Sequence, residues 1–366
     1  MLFIVSVVYN FVMTGLDVIA LLCLAPRQNW RTAIGVLVIY LFSMFVLAVL
    51  LGGPSFAAIR FLTFGLFVHL PLVLVGIAII ARRSAKSLSI TATLSALVVF
   101  AAAIDAVWVE PQWLEVTRHR IVSERIDQPI RIAVVADLQT DQLTGYEKNV
   151  FDQLFDAEPD VILFAGDYLQ AGSNSWFELA NQYQTFLGEY DWKAPLGAYA
   201  VGGNTDHPEW TRIFEKTPVH CSIKTEVIRN DRIQVTGLSM AESFDTTLRV
   251  PGTSRFHVVL GHSPDFALGE INADLLVAGH THGGQVQIPF WGPIMTLSAV
   301  PRAWACGITE IAPGKNLVVS RGIGMERGDA PRIRFWCRPQ LMIIDVVPPG
   351  HAVMSKPVHG HSWVLK

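Results

Sequence analysis

Five short stretches of this chain carry residue types that bind metals and move protons. They are Asp137-Leu138-Gln139, Gly166-Asp167, Gly203-Asn204-Thr205-Asp206, Gly261-His262 and Gly279-His280-Thr281-His282. Each sets a carboxylate, amide or imidazole among small neighbours, just after a run of apolar β-formers. Mixed oxygen and nitrogen donors of this kind suit divalent Mn, Fe or Zn. Two such ions about 3.5–4 Å apart can hold a hydroxide between them and clamp a phosphoryl oxygen for in-line displacement. His280 and His282, two apart on an extended loop, can direct their rings to different ions, and Asp167 has two oxygens with which to bridge them. Gly283 and Gly284 allow the sharp bend such a loop needs.

Side chains so far apart in sequence need a scaffold that gathers them. Ile130–Ala136, Asp160–Ala165 and Leu196–Val201 read as buried strands, with helices over Glu147–Glu158 and Ser175–Tyr190 between them. That alternation predicts a parallel-leaning sheet covered by helices. After Thr225 the strands come closer together: Glu226–Arg229, Arg232–Ser239, Phe256–Leu260, Leu275–Ala278, Asn316–Ser320 and Leu341–Val347. A second sheet follows, so the expected fold is an α/β two-sheet sandwich flanked by helices. In such sheets a site lies beyond the carboxyl ends of the strands. Asp137, Asp167, Asn204, His262 and His280 each follow one.

The first third of the chain is different in kind. Charged residues make up only 16% of the 366 residues, and Asp17 and Asp105 are the sole acids between Leu2 and Val109. Leu2–Leu24, Thr32–Leu51, Phe61–Ala81 and Leu88–Val109 each reach the roughly 20 apolar residues that cross a bilayer, predicting an all-α region of four transmembrane helices. The first run has neither a basic leader nor a cleavage signal and reads as a retained span. Arg27 and Arg31, then Arg82, Arg83 and Lys86, place loops one and three in the cytoplasm. The catalytic part is then expected on the extracytoplasmic face of the inner or plasma membrane. Asp17 and His69 are either functional intramembrane groups or partners in interhelical hydrogen bonds, and Pro71 is expected to kink its span. The expected organisation is 1–110 transmembrane region, 111–348 catalytic domain and 349–366 polar tail. His359-Gly360-His361 in the tail reads as a loose end. A net charge of −3 offers no basic patch for nucleic acid, and the four cysteines form no CxxC pair.

The order of the five stretches, with Gly279-His280-Thr281-His282-Gly283-Gly284-Gln285 and then Pro289, resembles the calcineurin-like metallophosphoesterases, in particular a bacterial branch with an amino-terminal membrane segment. The resemblance spans roughly Ile130 to Val347. It implies that Asp137 and His282 bind one divalent ion, that Asp167 bridges, and that Asn204, His262 and His280 bind the second, with Asn204 also positioning substrate oxygens. Two positions depart from the pattern. Gln139 stands where the family usually has a metal-binding His, and it either ligates weakly or acts through a water. Thr205 stands where many members place the His that protonates the leaving group, a role a hydroxyl cannot fill near neutral pH. His207 is then a candidate acid or a plain loop residue. Arg321, in Ser320-Arg321-Gly322, is either a phosphate contact or half of a salt bridge. Asp141 and Asp206 read as residues that orient ligands, and Asp265 as a helix-start residue. His119, His220 and His257 read as structural.

The function these features imply is a membrane-anchored, dinuclear-metal phosphoesterase acting on a phosphodiester or pyrophosphate. Four spans exceed what tethering needs, which points to an amphiphilic, lipid-linked substrate. The rival is a non-catalytic membrane sensor that keeps a degraded metal site for a phosphorylated ligand.

Overall fold

The computed structural model describes residues 2–53 and 55–350, so the His359-Gly360-His361 tail lies outside the described residues. The chain divides into two compact units, 1–109 with 326–332, and 110–325 with 333 onward.

The first unit is helical. Four helices, Leu2–Leu24, Trp30–Gly52, Phe56–Ala81 and Lys86–Gln112, are long and apolar enough to cross a membrane. The third is not uniform: Phe56–Phe64 passes through a π turn, Gly65–His69, into Leu70–Ala81. Pro71 at the start of that last piece lacks the N–H that would bond back to Phe67 and its ring crowds that carbonyl, so the expected irregularity is a widened turn just before the proline. The polar residues of these spans bond to one another. Asp17 accepts from the Tyr40 hydroxyl (2.7 Å) and pairs with His69 Nδ1 (2.7 Å), whose other nitrogen faces Asn10 Oδ1 (3.0 Å). Interhelical hydrogen bonding is thus what Asp17 and His69 do here. Arg60 reaches the carbonyls of Gly328 and Ala330 (2.7 and 2.8 Å), joining 326–332 to this unit.

The second unit holds two six-stranded sheets. From edge to edge the first runs Glu115–Val122, Gln340–Val347, Ile130–Val135, Val161–Phe164, Ala198–Val201 and Val219–Ser222. The second runs Gly307–Ala312, Lys315–Val319, Leu275–Ala278, Phe256–Leu260, Ile233–Gly237 and Glu226–Arg229. The central strands of both are parallel. Strand side chains alternate between faces. Ile132 and Val134 therefore enter a core shared with Val258, Leu260 and Val277 of the second sheet, while Ala133 and Val135 meet Val150, Leu154 and Tyr183 of the helices outside. Both faces are covered, which is why these strands are nearly continuous runs of apolar residues.

The two covering helices span Gly145–Asp156 and Ser173–Gly188, each beginning two residues before the expected start. For the first the reason is a capping box: the Thr144 side chain accepts from Tyr146 N–H, and Glu147 accepts from Thr144 N–H (2.9 Å). Three further strands, Glu115–Val122, Val219–Ser222 and Gly307–Ala312, were not expected. They lie at sheet edges, where one side is wet and the apolar pattern is diluted by residues such as Arg118 and Arg120.

Candidate metal centre

Five of the proposed ligands share a rare backbone state. Asp137, Gln139, Asp167, His280 and His282 have φ of 50°, 33°, 58°, 68° and 49°. Residues with a Cβ seldom occupy this left-handed region, and where they do the surrounding structure must hold them there. The holding bonds are visible. Asp137 N–H donates to Gly166 O (3.0 Å), Gln139 N–H to Asp167 O (2.9 Å), and His280 N–H to both Asp137 carboxylate oxygens (2.9 and 3.1 Å). Each loop turns back over its strand end and is tied to the next loop.

The carboxylates of Asp137 and Asp167 and the ring of His262 are buried, with one donor atom from each lying within 4.8 Å of the others. His262 Nδ1–H donates to the Ala165 carbonyl (2.8 Å), so the neutral ring keeps its lone pair on Nε2. That lone pair faces Asn204 Oδ1 at 2.8 Å and Asp167 Oδ2 at 3.4 Å. Three acceptors pointing at one another are a poor set for hydrogen bonds and a good one for a cation. Burial holds the His262 and His282 rings below the ordinary histidine range, the latter well below it, which keeps both neutral and able to ligate. Burial and the nearby Asp167 charge push the Asp137 carboxyl well above its usual value, a repulsion that positive charge would relieve. His282 Nδ1 is buried with no hydrogen-bond partner, and its Nε2 is 3.9 Å from Asp137 Oδ1. This donor set fits divalent cations.

His280 stands at the border of the cluster. Its ring centroid is 5.1 Å from that of His262, Phe244 packs edge-on against it, and its Nε2 faces the Leu297 carbonyl at 3.2 Å. Asn204 is exposed, so its amide faces both the buried ring and solvent. Gln139 lies inside, its Nε2 donating to Asp167 Oδ2 (3.0 Å).

Asp206 supports the centre from behind. Its carboxylate accepts N–H bonds from Asp167 (2.9 Å), Tyr168 (2.7 Å) and Gly203 (2.8 Å). It thereby fixes the strained Asp167 and the Gly203 turn together. Gly203 can be nothing larger, since a Cβ there would meet Asp167 Oδ1 at 2.1 Å. Asp265 opens a short helix and accepts Ala299 N–H (2.8 Å), tying down the chain beyond His282.

Among the other residues singled out from the sequence, Arg321 lies with its side chain against Gly283, next to His282. His207 stacks on Trp176, centroids 4.2 Å apart, and accepts the Glu209 N–H at Nδ1 (3.2 Å). The Arg321 guanidinium pairs with Glu115. His257 is a core residue, held by Thr236, Gln234 and Asn272. One organising residue gave no sequence signal. Arg334 is fully buried and donates to the carbonyls of Arg321, Gly322, Gly324 and Cys337, shaping the loop whose Gly322 lies against Asp137. A lone arginine in an irregular segment carries no motif by which to find it.

The sequence profile of the family described as calcineurin-like phosphoesterase matches residues 130–284. A metallophosphoesterase of Bacillus subtilis, YkuE, is 27% identical over 261 residues, covering 64% of this chain and 86% of that one. The phosphodiesterase YaeI of Escherichia coli is 25% identical, covering 65% of this chain and 90% of its own length. A UDP-2,3-diacylglucosamine pyrophosphatase, LpxG, of Chlamydia muridarum is 23% identical, with 59% of this chain and 83% of the relative covered.

Proposed function

Because this chain belongs, through residues 130–284, to the calcineurin-like phosphoesterases and is a metal-dependent phosphoric ester hydrolase, we propose that it is a membrane-anchored enzyme with a two-cation centre, cleaving a phosphodiester or pyrophosphate bond in a lipid-linked substrate. The observation that carries this reading is the meeting of Asp137, Asp167, His262 and Asn204 with lone pairs turned on one another.

Asp137, Gln139 and His282 would hold one ion, Asn204, His262 and His280 the other, with Asp167 between them. Two divalent cations of the Mn, Fe or Zn kind supply, when bound, a water of lowered pKa and charge to offset the phosphoryl oxygens. The protein's own part is positional. The Ala165 carbonyl fixes the His262 tautomer, Asp206 fixes the Asp167 backbone, and Asn204 offers its amide at the solvent side.

Thr205 bears on the substrate. Its N–H donates to Asp167 Oδ1 (2.8 Å) and its hydroxyl is buried without a partner, so position 205 supplies no proton to a departing oxygen. His207 is engaged with Trp176. A leaving group that departs as a stable anion, such as the phosphate half of a pyrophosphate, needs no such proton. The Chlamydia relative is named for a pyrophosphate-linked, doubly acylated substrate, which agrees with this preference and with four apolar helices in the same chain.

The test is metal analysis of the full chain in detergent together with turnover of an activated phosphodiester, with Asp167→Asn as control. Two bound divalent ions and loss of turnover in the variant support the reading; equal rates for the two proteins refute it. A reporter fused after Lys366 is expected to signal on the extracytoplasmic side. A cytoplasmic signal would instead direct the search to nucleotide–lipid pyrophosphates.

A further inference from the structure

The chain beyond His282 is unusual for a water-exposed segment. Between His282 and Arg302 there is no charged residue. The strands Gln287–Ile288 and Gly292–Pro293 form a small antiparallel hairpin. Its tip and return limb expose Phe290 (79%), Trp291 (61%), Ile294 (59%) and Leu297 (54%), with Ile288 and Met295 beside them. Contiguous apolar patches on soluble surfaces mark something to be bound.

The patch is anchored. Gln287 N–H donates to Phe335 O, and Phe335 N–H to Gln285 O, at 2.9 Å each. Asp265 accepts Ala299 N–H at its far end, and the Arg302 guanidinium lies 4.9 Å from the Trp291 ring centre. It is also continuous with the metal centre. The carbonyl of Leu297 faces His280 Nε2 at 3.2 Å, so the apolar surface begins one hydrogen bond from a proposed ligand.

We propose that the hairpin 286–297 seats an acyl chain of the substrate while its phosphoryl group occupies the metal centre. This rests on the phosphoesterase reading above and adds to it the element that selects an amphiphile. A purely water-soluble ester has no use for exposed Phe290 and Trp291 on the hairpin whose return limb leads to Leu297 and the site, whereas an acyl chain buries against them and is removed from water.

The experiment compares one phosphoester head group carrying a palmitoyl or an acetyl chain, using the full chain in nanodiscs and the double variant Phe290→Ser, Trp291→Ser. Both side chains are largely exposed, so the fold should tolerate their loss. The variant is expected to lose about tenfold or more in kcat/KM on the palmitoyl substrate and less than about twofold on the acetyl one. Equal losses on both substrates, or none on either, overturn the proposal. A change in oligomeric state without a change in chain-length selectivity also overturns it, marking the hairpin as a contact between copies. Failure of the native protein to cleave either substrate or an activated diester refutes the underlying phosphoesterase reading, an outcome distinct from loss of selectivity alone.

Discussion

Nε2 of His262 stands 2.8 Å from Oδ1 of Asn204, two acceptors facing each other because Nδ1–H is committed to the Ala165 carbonyl. With the ring held neutral by burial, a cation between the two atoms makes this contact favourable. Chelation should therefore destabilise the protein, since a ligand at about a hundred times its Kd stabilises the native state by about 2.7 kcal/mol. Thermal unfolding with EDTA, then with Mn or Zn restored, checks this; an unchanged midpoint contradicts it. Asn204→Ala should lower both the bound metal and the activity, by about 10- to 100-fold or more if Asn204 ligates directly.

Asp206 offers a separable effect, because its hydrogen bonds run to backbone N–H groups and not to the side chains of the proposed ligands. Asp206→Ala leaves the N–H groups of Asp167, Tyr168 and Gly203 without their acceptor. Each buried unsatisfied donor costs about 1–3 kcal/mol. A stability loss of about 3 kcal/mol or more is expected in denaturant unfolding, with a fall in metal affinity as the Asp167 backbone relaxes from its left-handed state. Asp206→Asn keeps one carbonyl oxygen and should fall between the two.

These two aspartates were legible to different degrees, and the reason is physical. Asp167 follows an apolar β-run and a glycine, a local pattern that announces a strand end. Asp206 acts through amides 38 and 39 residues away, and only the fold brings those to it; the sequence suggested an orienting role but not its partners. Arg334 was less legible still, since its hydrogen-bonding partners among the described residues are backbone carbonyls and the Cys337 sulfur and any residue supplies a carbonyl. The parallel central strands announced themselves because both faces are buried. The strand Glu115–Val122 did not, because an edge position lets Arg118, His119 and Arg120 sit where an interior strand would need apolar side chains. The π turn at Gly65–His69 had only Pro71 as its sign.

His257 gives a pH dependence away from the metal centre. It is buried, with Nδ1 donating to the Asn272 carbonyl (3.3 Å) and Nε2 accepting from the Thr236 hydroxyl (2.8 Å) and Gln234 (3.2 Å). All three partners suit the neutral ring, and burial holds its pKa below the ordinary value of 6.5. The unfolded chain therefore binds the proton at higher pH than the folded one. Its effect on stability is absent above the unfolded value and grows as the pH falls below about 6.5. Unfolding free energies measured from pH 7.5 down to 5 should decline, and His257→Gln should flatten that decline while lowering stability throughout. An unchanged slope in the variant would assign the decline to other groups.

Gln139 departs from the pattern of the phosphoesterases that residues 130–284 resemble, and the departure can be reversed. The residue is buried at the centre, with its amide donating to Asp167 Oδ2. A neutral amide is a weaker donor to Mn, Fe or Zn than imidazole. Its backbone already has the left-handed φ of the neighbouring proposed ligands, held by the bond from its N–H to Asp167 O. Gln139→His would thus place an imidazole on a backbone that the fold has already prepared. The variant is expected to bind its first ion about tenfold more tightly or better, on the scale of a gained ligand contact, with turnover rising at limiting metal and little changed at saturation. Titration of the stripped protein with Mn or Zn, followed by calorimetry and by rate, reads both quantities. Weaker binding would mean that Gln139 serves by holding the Asp167 oxygen in place, and that the amide hydrogen bond outweighs an added nitrogen ligand.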